Sequence, residues 1–77
     1  MDWAGVGAMK WVAVESSFIG AVAYQGDEEV LWLRFHNDRT YLFRQVPEQT
    51  YEKLLAAESK GRFFNSQIKD TFPYARV

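Results

Sequence analysis

The chain has 77 residues, 48% of them hydrophobic and 17% aromatic, with no cysteine, one histidine and a formal net charge of −1. This length fits one small domain, and the composition excludes a disulfide framework, a thiolate metal site and a thiol nucleophile. No apolar run approaches the roughly 20 residues of a membrane span, and Met1-Asp2-Trp3 lacks the basic start of a signal peptide. We therefore expect a cytoplasmic protein without a membrane partner.

The charges are divided unevenly along the chain. Residues 1–33 carry one lysine against five carboxylates, whereas residues 34–77 carry eight cations against five carboxylates. A chain with a pI of about 5.7 repels nucleic acid as a whole, but a basic face attracts phosphate within a Debye length of about 8 Å. The charge pattern keeps RNA binding open without favouring it.

The chain begins with a lead-in, residues 1–11, whose small residues offer little to order the backbone. The predicted domain follows over residues 12–77. β-Compatible runs separated by polar turns predict three strands, at 17–24, 30–36 and 40–46.

Two helices are predicted after the strands. Pro47 opens the first, which carries Tyr51, Leu54 and Leu55 on its apolar face and ends near Ala57 with Gly61 as its left-handed cap. The second carries Phe64, Ile68 and Phe72 on one face and is stopped by Pro73. The sequence thus predicts an α+β fold, a three-stranded antiparallel β-meander followed by two short α-helices packed on one face.

The strand register is predicted by pairing like faces, with Leu33 opposite Phe43 and Phe35 opposite Tyr41 around an Asn37-Asp38-Arg39 turn. The face toward the helices then carries Ile19, Ala21, Ala23, Leu31, Leu33, Phe35, Tyr41 and Phe43. The outer face carries Phe18, Val22, Tyr24, Val30, Trp32, Arg34, His36, Leu42 and Arg44, with Trp32 across from Arg44. An apolar patch of this size needs a cover or a partner, either the Met9 to Val14 segment or a second molecule.

Many of these positions resemble the KTSC domain, which is named for its place at the carboxyl end of some lysyl-tRNA synthetases and also occurs alone in bacteria. The resemblance rests on Val14, Ser16-Ser17, Ile19, Tyr24, Phe35, Tyr41-Leu42-Phe43, Val46-Pro47, Tyr51, Leu54, Ala57-Glu58-Ser59-Lys60-Gly61, Phe64-Asn65 and Ile68-Lys69. The chain departs from the family at Phe43, where a second tyrosine is usual, and at Asp38, where glycine is usual. The resemblance implies a stand-alone bacterial or phage-like cytoplasmic protein, with RNA binding suggested by the association with synthetases and no enzymatic activity.

Two polar features are candidate sites. Ser59, Lys60, Gly61 and Arg62 lie at the start of the second helix and suit an anion, although helix capping also explains Ser59 and Gly61. Ser16 and Ser17 are interpreted as backbone caps, since the sole histidine, His36, is expected at a distance. No group of residues predicts a metal site or a cofactor.

Two functions remain open from the sequence. The first is a non-enzymatic module that binds tRNA or single-stranded RNA, with Lys60, Arg62 and Lys69 on phosphate and Trp32, Arg34 and Arg44 beside the bases. The second is a homodimer or protein-interaction module that uses Phe18, Val22, Trp32 and Leu42.

Overall fold

A computed structural model describes residues 9–77, so most of the predicted lead-in, residues 1–11, lies outside the described residues. The described part holds an antiparallel sheet whose five strands are ordered as in the chain, with two helices between the fourth and fifth. The elements are β1 Val12–Ala13, β2 Ile19–Gln25, β3 Val30–Phe35, β4 Thr40–Phe43, α1 Glu48–Ala56, α2 Lys60–Gln67 and β5 Tyr74–Arg76. The α+β class is confirmed, but the strand count was wrong. The flanking strands β1 and β5 have two and three residues, too few to show a period of two.

A bulge in β2 decides which side chains face the helices. Ile19 pairs with Phe35, but the register shifts between Ile19 and Ala21, and beyond the shift Val22 pairs with Leu33. A bulge inserts one residue, so it moves every later side chain of the strand to the opposite face. The predicted pairing of Ala21 with Leu33 was therefore wrong, and Val22 is the residue that points into the core.

The register between β3 and β4 also differs from the prediction. Leu33 pairs with Tyr41 and Leu31 pairs with Phe43, two positions away from the predicted partners. A shift of two residues keeps the same side chains on each face, because the side-chain period of a strand is two. Tyr41 and Phe43 consequently face the helices as predicted.

The turn between β3 and β4 explains that shift. The Asp38 backbone N–H donates to the Phe35 carbonyl (3.0 Å), and the Phe35 N–H donates to the Arg39 carbonyl (2.9 Å). Asp38 has a φ of 65°, in the left-handed region that aspartate adopts more readily than most residues. This is the three-residue hairpin loop in which a type I turn is followed by a left-handed residue, and it covers residues 36–38.

The core lies between the sheet and the helices. Its buried members come from three strands, both helical segments and the β4–α1 connection, and they are Ile19, Val22, Leu31, Leu33, Phe43, Val46, Leu54, Phe64 and Ile68. Tyr51, Leu55 and Phe72 are partly buried against them. The predicted helical stripes are thus confirmed as core-facing.

The first helix agrees with the prediction at both ends, whereas the second ends earlier than predicted. α1 follows Pro47 as expected, but α2 begins at Lys60 and ends at Gln67, well before Pro73. Gly61 lies inside the first turn of α2 and is buried, and the described residues include no glycine with positive φ. Its predicted role as a left-handed cap was wrong. A β-carbon at Gly61 would lie 2.6 Å from Cε1 of Phe18, so glycine there permits close packing.

Two tyrosine rings, one from β2 and one from α1, stack on each other. The Tyr24 hydroxyl donates to the Val46 carbonyl oxygen at 2.6 Å, and its ring lies 4.9 Å from that of Tyr51 at an angle of 13°. Burial raises the pKa of Tyr24 above its ordinary value, and the carboxylates of Glu29 and Glu48 raise it further. Burial also raises the pKa of Tyr51.

We expect the free energy of unfolding to fall as the pH rises above about 10, the ordinary tyrosine value. A pKa that is higher in the folded state means that the folded protein holds the proton more tightly. The associated stability is present below the unfolded pKa and is lost as the pH rises through the folded one. Urea unfolding at about pH 8 to 11 measures the slope, and Tyr24→Phe should have a shallower slope than wild type. An identical slope in the variant would contradict this assignment.

Candidate nucleic-acid interface

Trp32, one of the three residues predicted to contact bases, is not accessible to a base. Trp32 is 4% exposed, and its Nε1 donates to the Gln25 side-chain oxygen at 2.9 Å. It pairs with Leu42 rather than with Arg44, because the actual register differs from the predicted one by two residues. A ring so deeply buried has no free face on which a base could stack.

Arg34 lies over an aromatic ring, that of Trp11. Its guanidinium lies 4.5 Å from the centroid of the Trp11 ring, within the range of a cation–π contact. Trp11 therefore reaches the outer face, as the predicted cover requires. The strand that follows it does not lie across the sheet, since Val12 pairs with Val22 at the β2 edge.

The predicted interaction face is divided between the two sides of the sheet. Val22 is fully buried in the core, and the Phe18 ring packs against Phe35 (5.9 Å) and Phe64 (6.1 Å) on the helix side. The predicted orientation of both residues was wrong. Val22 follows the bulge, which reverses the facing of β2, and Phe18 precedes β2, in a segment that does not follow the alternation of a strand. The homodimer hypothesis loses the continuous surface that motivated it.

The predicted anion site lines a groove of about 590 Å³ between α2 and the segment before β2. Ser59 is the N-cap of α2, and its hydroxyl accepts from the Arg62 backbone N–H at 3.3 Å. The Lys60 ammonium donates to the Ala57 carbonyl oxygen at 3.0 Å. Capping thus uses the Ser59 hydroxyl and the Lys60 ammonium.

Carboxylates also line this groove. Glu15 and Glu58 are among its wall residues, together with Ser16, Ser17 and Asn65. Their negative charge opposes the two basic residues at the start of α2, so the groove as a whole is no more basic than acidic. Anion binding by Ser59, Lys60, Gly61 and Arg62 stays a prediction, and the electrostatic balance does not favour it.

Ser16 has the capping role that the sequence predicted. Its hydroxyl accepts from the backbone N–H groups of Phe18 (3.4 Å) and Ile19 (3.3 Å). The expected separation of His36 was wrong, since His36 Nε2 lies 2.9 Å from the Ser16 carbonyl oxygen. A carbonyl only accepts, so Nε2 carries the proton in this contact. The imidazole is held by the backbone of Ser16 and does not contact its hydroxyl as a base would.

A second concavity, which we call the aromatic cup, lies where β4, β5 and the end of α2 meet. It has a volume of about 260 Å³, and its walls are Phe35, Asn37, Arg39, Tyr41, Phe43, Phe64, Lys69, Asp70 and Tyr74. Sequence reasoning missed it as a site. Lys69 was the only one of these residues predicted to bind nucleic acid.

The floor of the cup is part of the core. Phe43 is 3% exposed, and its ring meets that of Phe64 edge-on at 5.4 Å. Tyr41 packs edge-on against Phe35 at 5.4 Å. The outer wall is Tyr74, which is 59% exposed and lies 5.6 Å from the Phe43 ring. The cup thus joins a fixed aromatic floor to an accessible ring.

Two cations line the cup, and a third lies on the same face of the sheet. Arg39 and Lys69 are exposed wall residues, and Arg76 pairs with Tyr41, which places it on the same face of the sheet. Asp70 is the carboxylate of the wall. Arg39 and Arg76 were not predicted as site residues. The only available sequence signal was the excess of cations in the second half of the chain.

A small α+β domain with this sheet order and this pair of helices has well-defined relatives. Residues 15–72 match the KTSC domain model, and the chain therefore belongs to the KTSC domain family. A crystal structure of a KTSC domain protein from Yersinia pestis superposes with a TM-score of 0.87 and 36% sequence identity, and it covers 91% of this chain and 99% of that one.

Two further relatives place the family in different contexts. A protein of Tsukamurella paurometabola is 49% identical over 59 residues, which is 77% of this chain and 88% of that protein. A lysine–tRNA ligase of Nostoc is 36% identical over 63 residues, which is 82% of this chain but 11% of the ligase. The family resemblance stated from the sequence is confirmed. Within residues 9–77, neither helix has the length and apolar character needed to cross a membrane.

Proposed function

We propose that this chain is a small non-enzymatic module that binds RNA, either tRNA or single-stranded RNA. The contact is made by Arg39, Lys69 and Arg76 beside the aromatic cup, which we call the basic rim. The observation that carries the proposal is the grouping of Arg39, Lys69 and Arg76 around exposed aromatic surface. Phosphate contacts from arginine and lysine supply most of the affinity of sequence-tolerant RNA binding, and neighbouring aromatic rings add stacking.

The relationship to lysine–tRNA ligases supports this proposal. The part of the Nostoc ligase that resembles this chain is 11% of that enzyme, a proportion suited to an accessory module beside a much larger catalytic body. A module that holds RNA weakly would raise the local concentration of a tRNA near such an enzyme. This chain would hold RNA in the same way through its own basic residues.

The binding should depend strongly on salt. We expect labelled protein titrated with tRNA or a short single strand to bind at about 50 mM salt and to weaken steeply by about 200 mM, because binding releases counterions from the phosphates. A rim variant with Arg39→Gln, Lys69→Gln and Arg76→Gln should lower the log–log salt slope by roughly 2, since each lost contact removes about 0.7 on a single strand.

A matched variant in the groove beside α2 serves as the control. Lys60→Gln with Arg62→Gln removes two of the cations that the sequence predicted for phosphate, and we expect it to change the slope less than the rim variant does. The absence of any binding at low salt would refute the proposed function. A larger loss in the groove variant would move the interface to the start of α2.

A further inference from the structure

The shape of the aromatic cup suggests what part of an RNA enters it. Its volume of about 260 Å³ lies just below the roughly 300–1,000 Å³ of pockets that hold drug-sized ligands. Such a space suits one planar ring system rather than a larger ligand. Aromatic rings line it, and that of Tyr74 lies 6.0 Å from Tyr41 and 5.6 Å from Phe43.

We infer that the aromatic cup takes a single unpaired nucleobase, which stacks on Tyr74 while the flanking phosphates lie against Arg39, Lys69 and Arg76. This inference rests on the proposed function and names its ligand as single-stranded RNA or an unpaired loop, as distinct from duplex. Tyr74 is the ring that carries it, because 59% of its surface is exposed whereas Phe43 and Phe64 are core residues.

The polar wall residues match the edge of a base. The Asn37 side-chain oxygen already accepts from the Arg39 backbone N–H at 3.1 Å, which leaves its amide N–H groups free to donate. The Asp70 carboxylate accepts only, and the Tyr41 hydroxyl does both. A nucleobase edge presents both donors and acceptors, so it finds complementary groups on this wall.

Duplex RNA cannot use such a cup. In a helix each base is stacked between neighbours and paired at its edge, so its face is not available to a protein ring. Only a base splayed out from a loop, an end or a single strand offers the face that Tyr74 requires. The charged rim alone would not distinguish single strand from duplex, and the cup is what adds the preference.

The test compares a short single-stranded RNA with the same strand annealed to its complement, at about 50 mM salt, against wild type and three variants. Tyr74→Ala should weaken single-strand binding about 5- to 150-fold, the range reported by alanine replacement of stacking residues. Tyr74→Phe keeps the ring and should bind within about 2-fold of wild type. Val77→Ala, which truncates the other large exposed apolar side chain of this segment, should bind like wild type.

Thermal unfolding of each variant separates loss of binding from loss of folding, and each outcome has one meaning. Selective loss in Tyr74→Ala with a preference for the single strand supports the cup. If RNA binds but Tyr74→Ala has no effect, or duplex binds as tightly as single strand, the inference about the cup is overturned and the proposed function stands. If no RNA binds to wild type, the proposed function fails, and the inference fails with it.

Discussion

Replacement of Phe64 by alanine should lower the free energy of unfolding by about 3–5 kcal/mol, the range for deletion of a buried phenyl ring. Phe64 is 5% exposed and touches the rings of Phe18, Phe35 and Phe43 at centroid distances of 5.4 to 6.1 Å. A chain of this length has a total stability of only about 4–12 kcal/mol, at roughly 0.05–0.15 kcal/mol per residue. The variant should therefore lose a large fraction of the stability of the domain.

The adjacent residue provides the matched control. Phe63 lies in the same helix and is only partly buried against the core, so Phe63→Ala deletes the same side chain from a less enclosed place. Urea unfolding followed by tryptophan fluorescence measures both losses. A Phe64→Ala loss no larger than the Phe63→Ala loss would show that Phe64 does not hold the aromatic core together.

Replacement of Gly61 by alanine should also destabilise the fold, by up to about 2 kcal/mol net, although alanine is the better helix former. Intrinsic propensity alone predicts a gain of about 1 kcal/mol. The new β-carbon, however, would lie 2.6 Å from Cε1 and 3.1 Å from Cζ of Phe18. The Phe18 ring is itself packed against two others, so it has little room to move aside, and overpacking costs about 1–3 kcal/mol.

Two controls isolate the steric contribution. Gly26→Ala places a β-carbon no closer than 3.7 Å to its nearest neighbour, so we expect little change in stability. Phe18→Leu removes the colliding ring, and the Gly61→Ala loss should shrink in that background, which chemical denaturation of the four chains of a double-mutant cycle measures. Equal losses in both backgrounds would rule out a collision with Phe18.

The strands and helices could be predicted from the sequence wherever a periodic pattern of apolar residues runs over many positions. The strands β2 to β4, the apolar stripe of α1 and the buried positions Phe64 and Ile68 all follow from residue spacing. The facing of β2 could not be predicted from spacing alone, since alternation fails across the bulge between Ile19 and Ala21. The signal was Gly20, because an isolated glycine in a strand often marks a bulge. Its consequence, that Val22 and not Ala21 is core, depends on tertiary packing.

The aromatic cup was beyond the reach of sequence reasoning for a different reason. Its outer wall belongs to β5, whose three residues follow Pro73 and carry no readable alternation. Without that strand, Tyr41 and Phe43 are explained fully as core residues. Only the register that pairs Phe43 with Tyr74 and Tyr41 with Arg76 brings an exposed ring and a cation beside them. Residue spacing predicted that Tyr41 and Phe43 face the helices, but it did not predict β5, which supplies Tyr74.

Because β5 lies at the edge of the sheet, binding of a base in the aromatic cup should affect amide hydrogen exchange in this strand. All three of its residues are exposed, and among the described strands it pairs with β4 alone, so it belongs to the part of the fold that opens at the lowest free energy. Each opening removes the Tyr74 wall and leaves the cup unable to hold a ring. A bound base would therefore slow amide exchange along β5, and the occupancy of the cup and the closure of the last strand would form a single coupled equilibrium.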